Sequence, residues 1–238
     1  MPGMKTAPSR AAIPVLSACL FSLACGPRLD QAAKADIDRR VEAFVPSGLA
    51  FPAPVALVPK PLAVGQWTQH KLTNDKGEHA LITYKIVGED GGAYWVEVAN
   101  ENYFGKIVTK ILLAVGDRLN PATMEIRGVK TKDGNGKIQE FEGPAIQMTR
   151  PAWQGVVNML AVSWQGHQQE DMNVVAGNFA ACIKARTDAN WGGWYASSVT
   201  WMHPAVPINS LVMAAGTDRP SSMELVGFGD TGAASEIP

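Results

Sequence analysis

The chain has 238 residues, of which 46% are hydrophobic and 18% charged, with a formal net charge of −1. That balance excludes a disordered chain, which lacks the apolar material for a core, and a nucleic-acid binder, which needs a basic field. No run of 18 or more apolar residues occurs, so no membrane-spanning helix is expected.

The first elements in chain order are an address. Lys5 and Arg10 follow a plausible start at Met4, and Ala11 to Leu23 form an apolar stretch that ends in small residues. This is the tripartite pattern of a secretory signal peptide. The run Ser22-Leu23-Ala24-Cys25-Gly26 then resembles the lipobox of bacterial lipoproteins. Leu16-Ser17-Ala18-Cys19 fits its letters better, but cutting there would leave an apolar core of only Ala11 to Leu16, short of the roughly 7–15 residues such a core needs. Cys25 is therefore preferred over Cys19, with an ordinary secretory signal as the alternative. The resemblance implies cleavage before Cys25, diacylglycerol on its sulfur and a third acyl chain on the new amino terminus, a set that anchors stably. It further implies the outer membrane, because Gly26 stands where an inner-membrane lipoprotein tends to carry Asp. The expected division is 1–24 signal peptide, 25–60 helix and linker, and 61–238 one β domain. Only Cys182 remains in that body, so no disulfide framework supports it. Cys182 reads as a small buried apolar residue.

Leu29 to Phe44 carry Leu29, Ala33, Ile37 and Val41 every four residues, with charges on the other sides, which predicts an amphipathic helix. Five prolines between Val45 and Pro61 predict an extended linker. From Pro61 to about Gly143 the period changes to two, with turns at Asn74–Gly77, Gly88–Gly92, Asn100–Gly105, Gly116–Pro121 and Asp133–Gly136. Short alternating strands joined by tight turns predict an antiparallel meander with one buried face. Pro151 to Trp164 predict a short apolar helix opening on Pro151. Strands resume over Asn178–Thr187, Trp191–Trp201, Pro207–Ala215 and Ser221–Gly229, and Asp230–Pro238 read as a small polar tail.

Reactive signatures are missing. The four histidines, His70, His79, His167 and His203, form no metal-binding spacing, and no P-loop, nucleophile elbow or dinucleotide fingerprint occurs. Glu170 and Asp171, adjacent on an extended chain, read as solvated rather than as an acid–base pair. No catalytic residue, metal or cofactor is expected. Seven tryptophans stand out. Their simplest role is core packing. The sharper one is the wall of an apolar site, for which Tyr94, Trp153, Trp191, Trp194, Tyr195 and Trp201 are the candidates. Gly192 and Gly193 lower the bulk between two of them, for a ligand or a bulge.

Three stretches carry a further resemblance: Gly177-Asn178-Phe179 through Cys182, Trp201 through Ile208, and Glu224 through Gly229. As a strand pattern over about residues 60–230 they resemble bacterial envelope lipoproteins, similar to the half-barrel group that includes the lipoprotein carriers LolA and LolB. The resemblance implies an incomplete barrel curled round a helical plug, here the Pro151–Trp164 segment, with an apolar concave side that holds acyl chains. No lipid-contacting residue of the carriers maps onto this chain, so carrier activity is not implied.

The expected fold is thus mainly β (α+β): a curved antiparallel sheet forming an open half-barrel around a short helix, preceded by an amphipathic helix. The expected function is non-enzymatic: a membrane-anchored envelope lipoprotein, periplasmic or surface-facing, that binds a lipid-like molecule or an envelope protein. A structural lipoprotein with a sealed core is the alternative, and a hydrolase with a dispersed site is disfavoured.

Overall fold

The computed structural model describes residues 29–162, 164, 168–191 and 194–238, with side chains described except at 151–152, 187–191 and 194–196. Cys19, Cys25 and His167 lie outside the described residues.

The period-two segments become strands. They are β1 (Ala50–Phe51), β2 (Trp67–Thr73), β3 (His79–Asp90), β4 (Ala93–Asn102), β5 (Gly105–Ala114), β6 (Glu125–Lys132), β7 (Ile138–Phe141), β8 (Gln168–Val174), β9 (Gly177–Trp191), β10 (Trp194–Met202), β11 (Leu211–Gly216) and β12 (Ser222–Gly229). They form one open, curved sheet in the order β1-β9-β10-β11-β12-β2-β3-β4-β5-β6-β7, with β8 also on β9. Every pairing is antiparallel except the short parallel contact of β1 with β9. The antiparallel meander expected from the alternation is therefore present, and so is the open half-barrel that the resemblance implies. The sequence reading missed β8, whose polar residues hide the strand period, and it merged the end of β9 with β10. Trp191 closes β9, Trp194 opens β10, and the two are cross-strand partners.

Two α-helices flank the sheet among the described residues. α1 (Gln31–Glu42) lies inside the expected span, capped by the Asp30 carboxylate on the amides of Ala32 and Ala33. α2 runs from Pro144 to Leu160, a turn and a half or more ahead of the expected start. Pro144 takes the first helical position after Gly143 (φ 52°), which leaves Pro151 inside the helix, where it supplies no amide to the ladder.

The inner face of the sheet carries Tyr84, Ile86, Val96, Ile111, Leu113 and Val129, and α2 lays Ile146, Val157 and Leu160 on them. The outer face carries Leu81, Glu97, Ala99, Val108 and Lys110. α1 covers part of it, and Arg40 reaches Glu101 at 2.7 Å. The C-terminal tail covers the rest, which corrects the reading of a small polar end. Ile237 is fully buried against Ala99 and Val108. The Glu97 carboxylate, also fully buried, accepts from the Ser235 hydroxyl at 2.8 Å, the Glu236 amide at 2.9 Å and the Ile237 amide at 3.3 Å, with the Lys85 ammonium at 3.1 Å. Lys110 donates to the Ile237 carbonyl at 2.7 Å. A buried carboxylate is tolerable only when its lone pairs are met in this way.

The C-terminal strands curl further. The β8–β9 turn returns to β12, where the Ala176 amide donates to the Leu225 carbonyl and the Val175 amide to Glu224. Gly177 sits at this closure with φ 148°, and a Cβ there would lie 2.7 Å from the Leu49 carbonyl oxygen. Gly177→Ala is therefore expected to destabilise the fold by about 1–3 kcal/mol. Limited proteolysis of the Pro-rich arm checks this: faster cutting over 45–60 is expected as β1 is pushed off β9, and an unchanged digestion pattern would contradict it.

Candidate functional site

The inner face is where an apolar site can exist, and it divides into two apolar clusters. The first lies under α2, between β3 and β6. The second is enclosed by β8–β12 and contains Phe179, Cys182, Val212 and Leu225, with Phe51 stacked on Phe179 (4.4 Å between centroids) and Phe228 beside them. The loop 203–210 runs between the two, burying Val206 in the second cluster and Ile208 in the first.

Of the six aromatic candidates, Tyr94 and Trp153 belong to the first cluster and are half-buried there. Trp153 packs on Phe141 at 5.9 Å and donates its indole N–H to the Thr149 hydroxyl at 3.1 Å. Trp201 lies against the second cluster, with its indole N–H on Glu170 at 2.9 Å and the Lys184 ammonium 5.3 Å from its ring centre. Trp191, Trp194 and Tyr195 stand at the tip of the β9–β10 hairpin by backbone register, and their side chains are outside the described set. The six therefore fall into three groups rather than one wall.

Glu170 and Asp171 are exposed, as expected, but engaged. The Glu170 carboxylate is held below the usual range by Trp201 and then Lys184, and Asp171 accepts from the Ala181 amide at 2.8 Å. Cys182 is fully buried, and desolvation pushes its thiol up to about 12, so it is chemically quiet.

Sequence reasoning missed a polar layer between the clusters. His70 is fully buried on β2, with Nε2 on the Leu211 carbonyl at 3.1 Å; burial pulls its pKa down to about 4. Thr68 Oγ1, His70 Nδ1, Asn209 Nδ2, Ser210 Oγ and Arg118 Nε are all buried without a partner among the protein atoms. Arg118 meanwhile donates to the carbonyls of Lys60 and Ile208, and desolvation lowers it to about 10. Two residues of the loop, Ile208 (φ 64°) and Ser210 (φ 56°), occupy the left-handed region, which is costly above all for a β-branched residue. The only sequence signal was the spacing of Pro204 and Pro207 before Asn209. His70 and Ser210 are both sealed from solvent, out of a substrate's reach.

Two recesses open on the surface. One of about 230 Å³ lies between the start of α2 and the edge of β6, lined by Met124, Ile126, Ile146, Gln147 and Arg150. The other, about 300 Å³, lies beside β1 and is lined by Phe51, Pro52, Asn178 and Phe179. Both stand at or below the small end of ligand sites. The largest apolar cluster of the inner face lies beneath α2. Among the described residues the side-chain hydrogen bonds of α2 close on α2 itself: Thr149 on Ala145 and Ile146, Trp153 on Thr149, Gln154 on Asn158. Among the described residues no side chain of the helix makes an ion pair or polar bond to the sheet, so apolar contact alone seats it. No group of three or more His, Cys, Asp or Glu among the described residues is arranged to hold a metal.

No family model matches the chain, and no curated protein matches it. Among solved structures, the chain is similar to a Bacteroides fragilis protein assigned as exported and carrying a YmcC-like fold. The identity is 10%, the TM-score 0.36, and the match covers 71% of this chain and 98% of that one.

Proposed function

We propose that this protein is an exported envelope lipoprotein, anchored through Cys25 at the outer membrane, whose half-barrel takes a lipid-like apolar ligand beneath α2 without catalysing a reaction. The observation that carries the reading is the seating of α2. It covers the richest apolar part of the inner face, and among the described residues no polar side-chain bond fastens it there. A helix held by apolar contact alone can be exchanged for an acyl chain of similar surface at little net change in buried area. Tyr94 and Trp153 would then line the site, with Trp201 on the neighbouring cluster and Trp191, Trp194 and Tyr195 at the hairpin tip. A sealed structural core is the second reading, favoured by the complete burial of Ile208 and Leu160 under the present arrangement.

The mature protein, purified in mild detergent, separates the two. Native mass spectrometry is expected to show a retained apolar ligand. Added long-chain fatty acid is expected to speed amide exchange over 144–160 at least several-fold, while β3–β5 stay protected. A protein that carries no ligand, and whose α2 exchange ignores fatty acid, would refute the container reading and leave the sealed one.

A further inference from the structure

Arg118 is a cation held in the interior without an anion. Three segments meet on it. Its guanidinium donates to the Lys60 carbonyl on the Pro-rich arm and to the Ile208 carbonyl on the 203–210 loop. Its own carbonyl accepts the Val162 amide at 2.9 Å, just past the end of α2. Leu62, Leu160 and Ile208, each within two residues of one of these contacts, belong to the cluster beneath α2. The guanidinium therefore marks the polar margin of that cluster, at the C-terminal end of the helix.

No carboxylate among the described residues pairs with it. Its chain neighbour Asp117 accepts the Leu119 amide at 2.9 Å instead, and Asp230, which reaches the same arm, is held by the Lys60 ammonium at 2.6 Å. Desolvation lowers the guanidinium to about 10, with no carboxylate opposing it. The two carbonyls orient the group but bring no net charge, and a buried charge is ordinarily paired.

The hydrogen-bond balance leans the same way. A guanidinium has five N–H donors, and its Nε–H is buried with no acceptor among the protein atoms. On the loop that Arg118 grips, Asn209 gives its Oδ1 to the Leu211 amide at 3.2 Å and leaves Nδ2 buried without an acceptor. The unpartnered hydroxyls of Ser210 and Thr68 can donate or accept. Only His70 Nδ1 is restricted to accepting, because Nε2 must carry the proton to donate to the Leu211 carbonyl. An acceptor-only anion answers both the charge and the spare donors. Carboxylate and phosphate oxygens suit a guanidinium best, through paired N–H groups.

We infer that Arg118 receives the anionic head, a carboxylate or a phosphate monoester, of the acyl ligand that enters beneath α2, so that the half-barrel selects acidic over neutral amphiphiles. This rests on the container reading above. The acyl chain takes the place of α2 on the apolar cluster, and the head stops at the margin where the helix now ends.

Four compounds with one chain and different heads test it: hexadecanoate, hexadecyl phosphate, methyl hexadecanoate and hexadecanol, offered together at pH 8 to the mature protein and read by native mass spectrometry. An acid is expected to outcompete its neutral counterpart at least tenfold, and whichever acid does so names the head. Arg118→Gln is expected to bring that ratio to within about twofold of one while the neutral compounds still bind. A second measurement needs no variant. Stearate with a nitroxide on carbon 5, near the head, is expected to broaden the amide signals of 118–119 and 208–211 in the native chain, and a nitroxide on carbon 16 to spare them. Neutral compounds that bind as well as the acids would overturn the anion site and leave the container standing. A full acid preference in folded Arg118→Gln, or equal broadening by both nitroxides, would overturn the assignment to Arg118. Binding of none of the four would overturn the container and this site together.

Discussion

Replacing Glu97 with alanine is expected to lower the melting temperature by roughly 6–20 °C. Glu97 is fully buried, and its carboxylate receives the Ser235 hydroxyl, two tail amides and the Lys85 ammonium. Removing one partner of a buried charged network costs about 3–5 kcal/mol, and each kcal/mol moves the midpoint of a domain this size by about 2–4 °C. The loss has a location. Amide exchange over 233–238 should rise to that of an unstructured peptide, because Ile237 loses both its amide acceptor and the support for its buried side chain. Ser235→Ala, which deletes a single hydroxyl, should cost only about 1 kcal/mol. Equal effects of the two variants, or a tail that stays protected in Glu97→Ala, would contradict the latch.

The second large effect is set by pH. Burial lowers His70 from 6.5 to about 4 in the folded protein, so between those values the unfolded chain binds the extra proton. Stability must therefore rise with pH. The contribution is complete above about pH 6.5 and is lost as pH falls towards 4, and a shift of this size amounts to about 3 kcal/mol. His203 is lowered as well, chiefly by burial, and adds in the same direction. Carboxylates such as Asp36 and Glu236, lowered by their cationic partners, lose their contributions mainly at still lower pH. Urea midpoints at pH 7.5, 5.5 and 4.5 should fall steeply for the native chain. In His70→Gln, whose amide can still donate to the Leu211 carbonyl, they should fall much less. Parallel curves for the two proteins would exclude His70 as the origin.

What the sequence made legible follows from how local each determinant is. β3 to β6 alternate because one face meets the apolar clusters while the other carries ion-paired and small residues under α1 and the tail, so residues such as Ile82, Tyr84 and Ile86 announce their side. α1 carries its own stripe and cap. β8 was illegible because its polar run Gln168-Gln169-Glu170-Asp171 sits on an exposed edge where no burial period is imposed. The early start of α2 was hidden by Pro151, a residue that ordinarily opens helices and here lies within one. The roles of Glu97, His70 and the tail depend on partners more than 100 residues away, and no spacing rule reaches that far. The aromatic candidates were read from abundance, which carries no information on which rings converge; Tyr94 and Trp153 do, and Trp201 does not.

The tail latch also bears on timing. Residues 235–237 follow β12 in the chain, and the cavity they fill is built from Glu97, Ala99, Val108 and Lys110. β12, which joins the two halves of the sheet by pairing with β2, comes only shortly before them. A chain in which the tail has not yet docked therefore holds the Glu97 carboxylate with Lys85 as its partner but without the tail donors, and the Lys110 ammonium without the Ile237 carbonyl, so closing the meander around them is costly. Closure of the outer face is thereby coupled to the arrival of the tail: until residues 235–237 dock, a collapsed meander carries a poorly compensated buried charge.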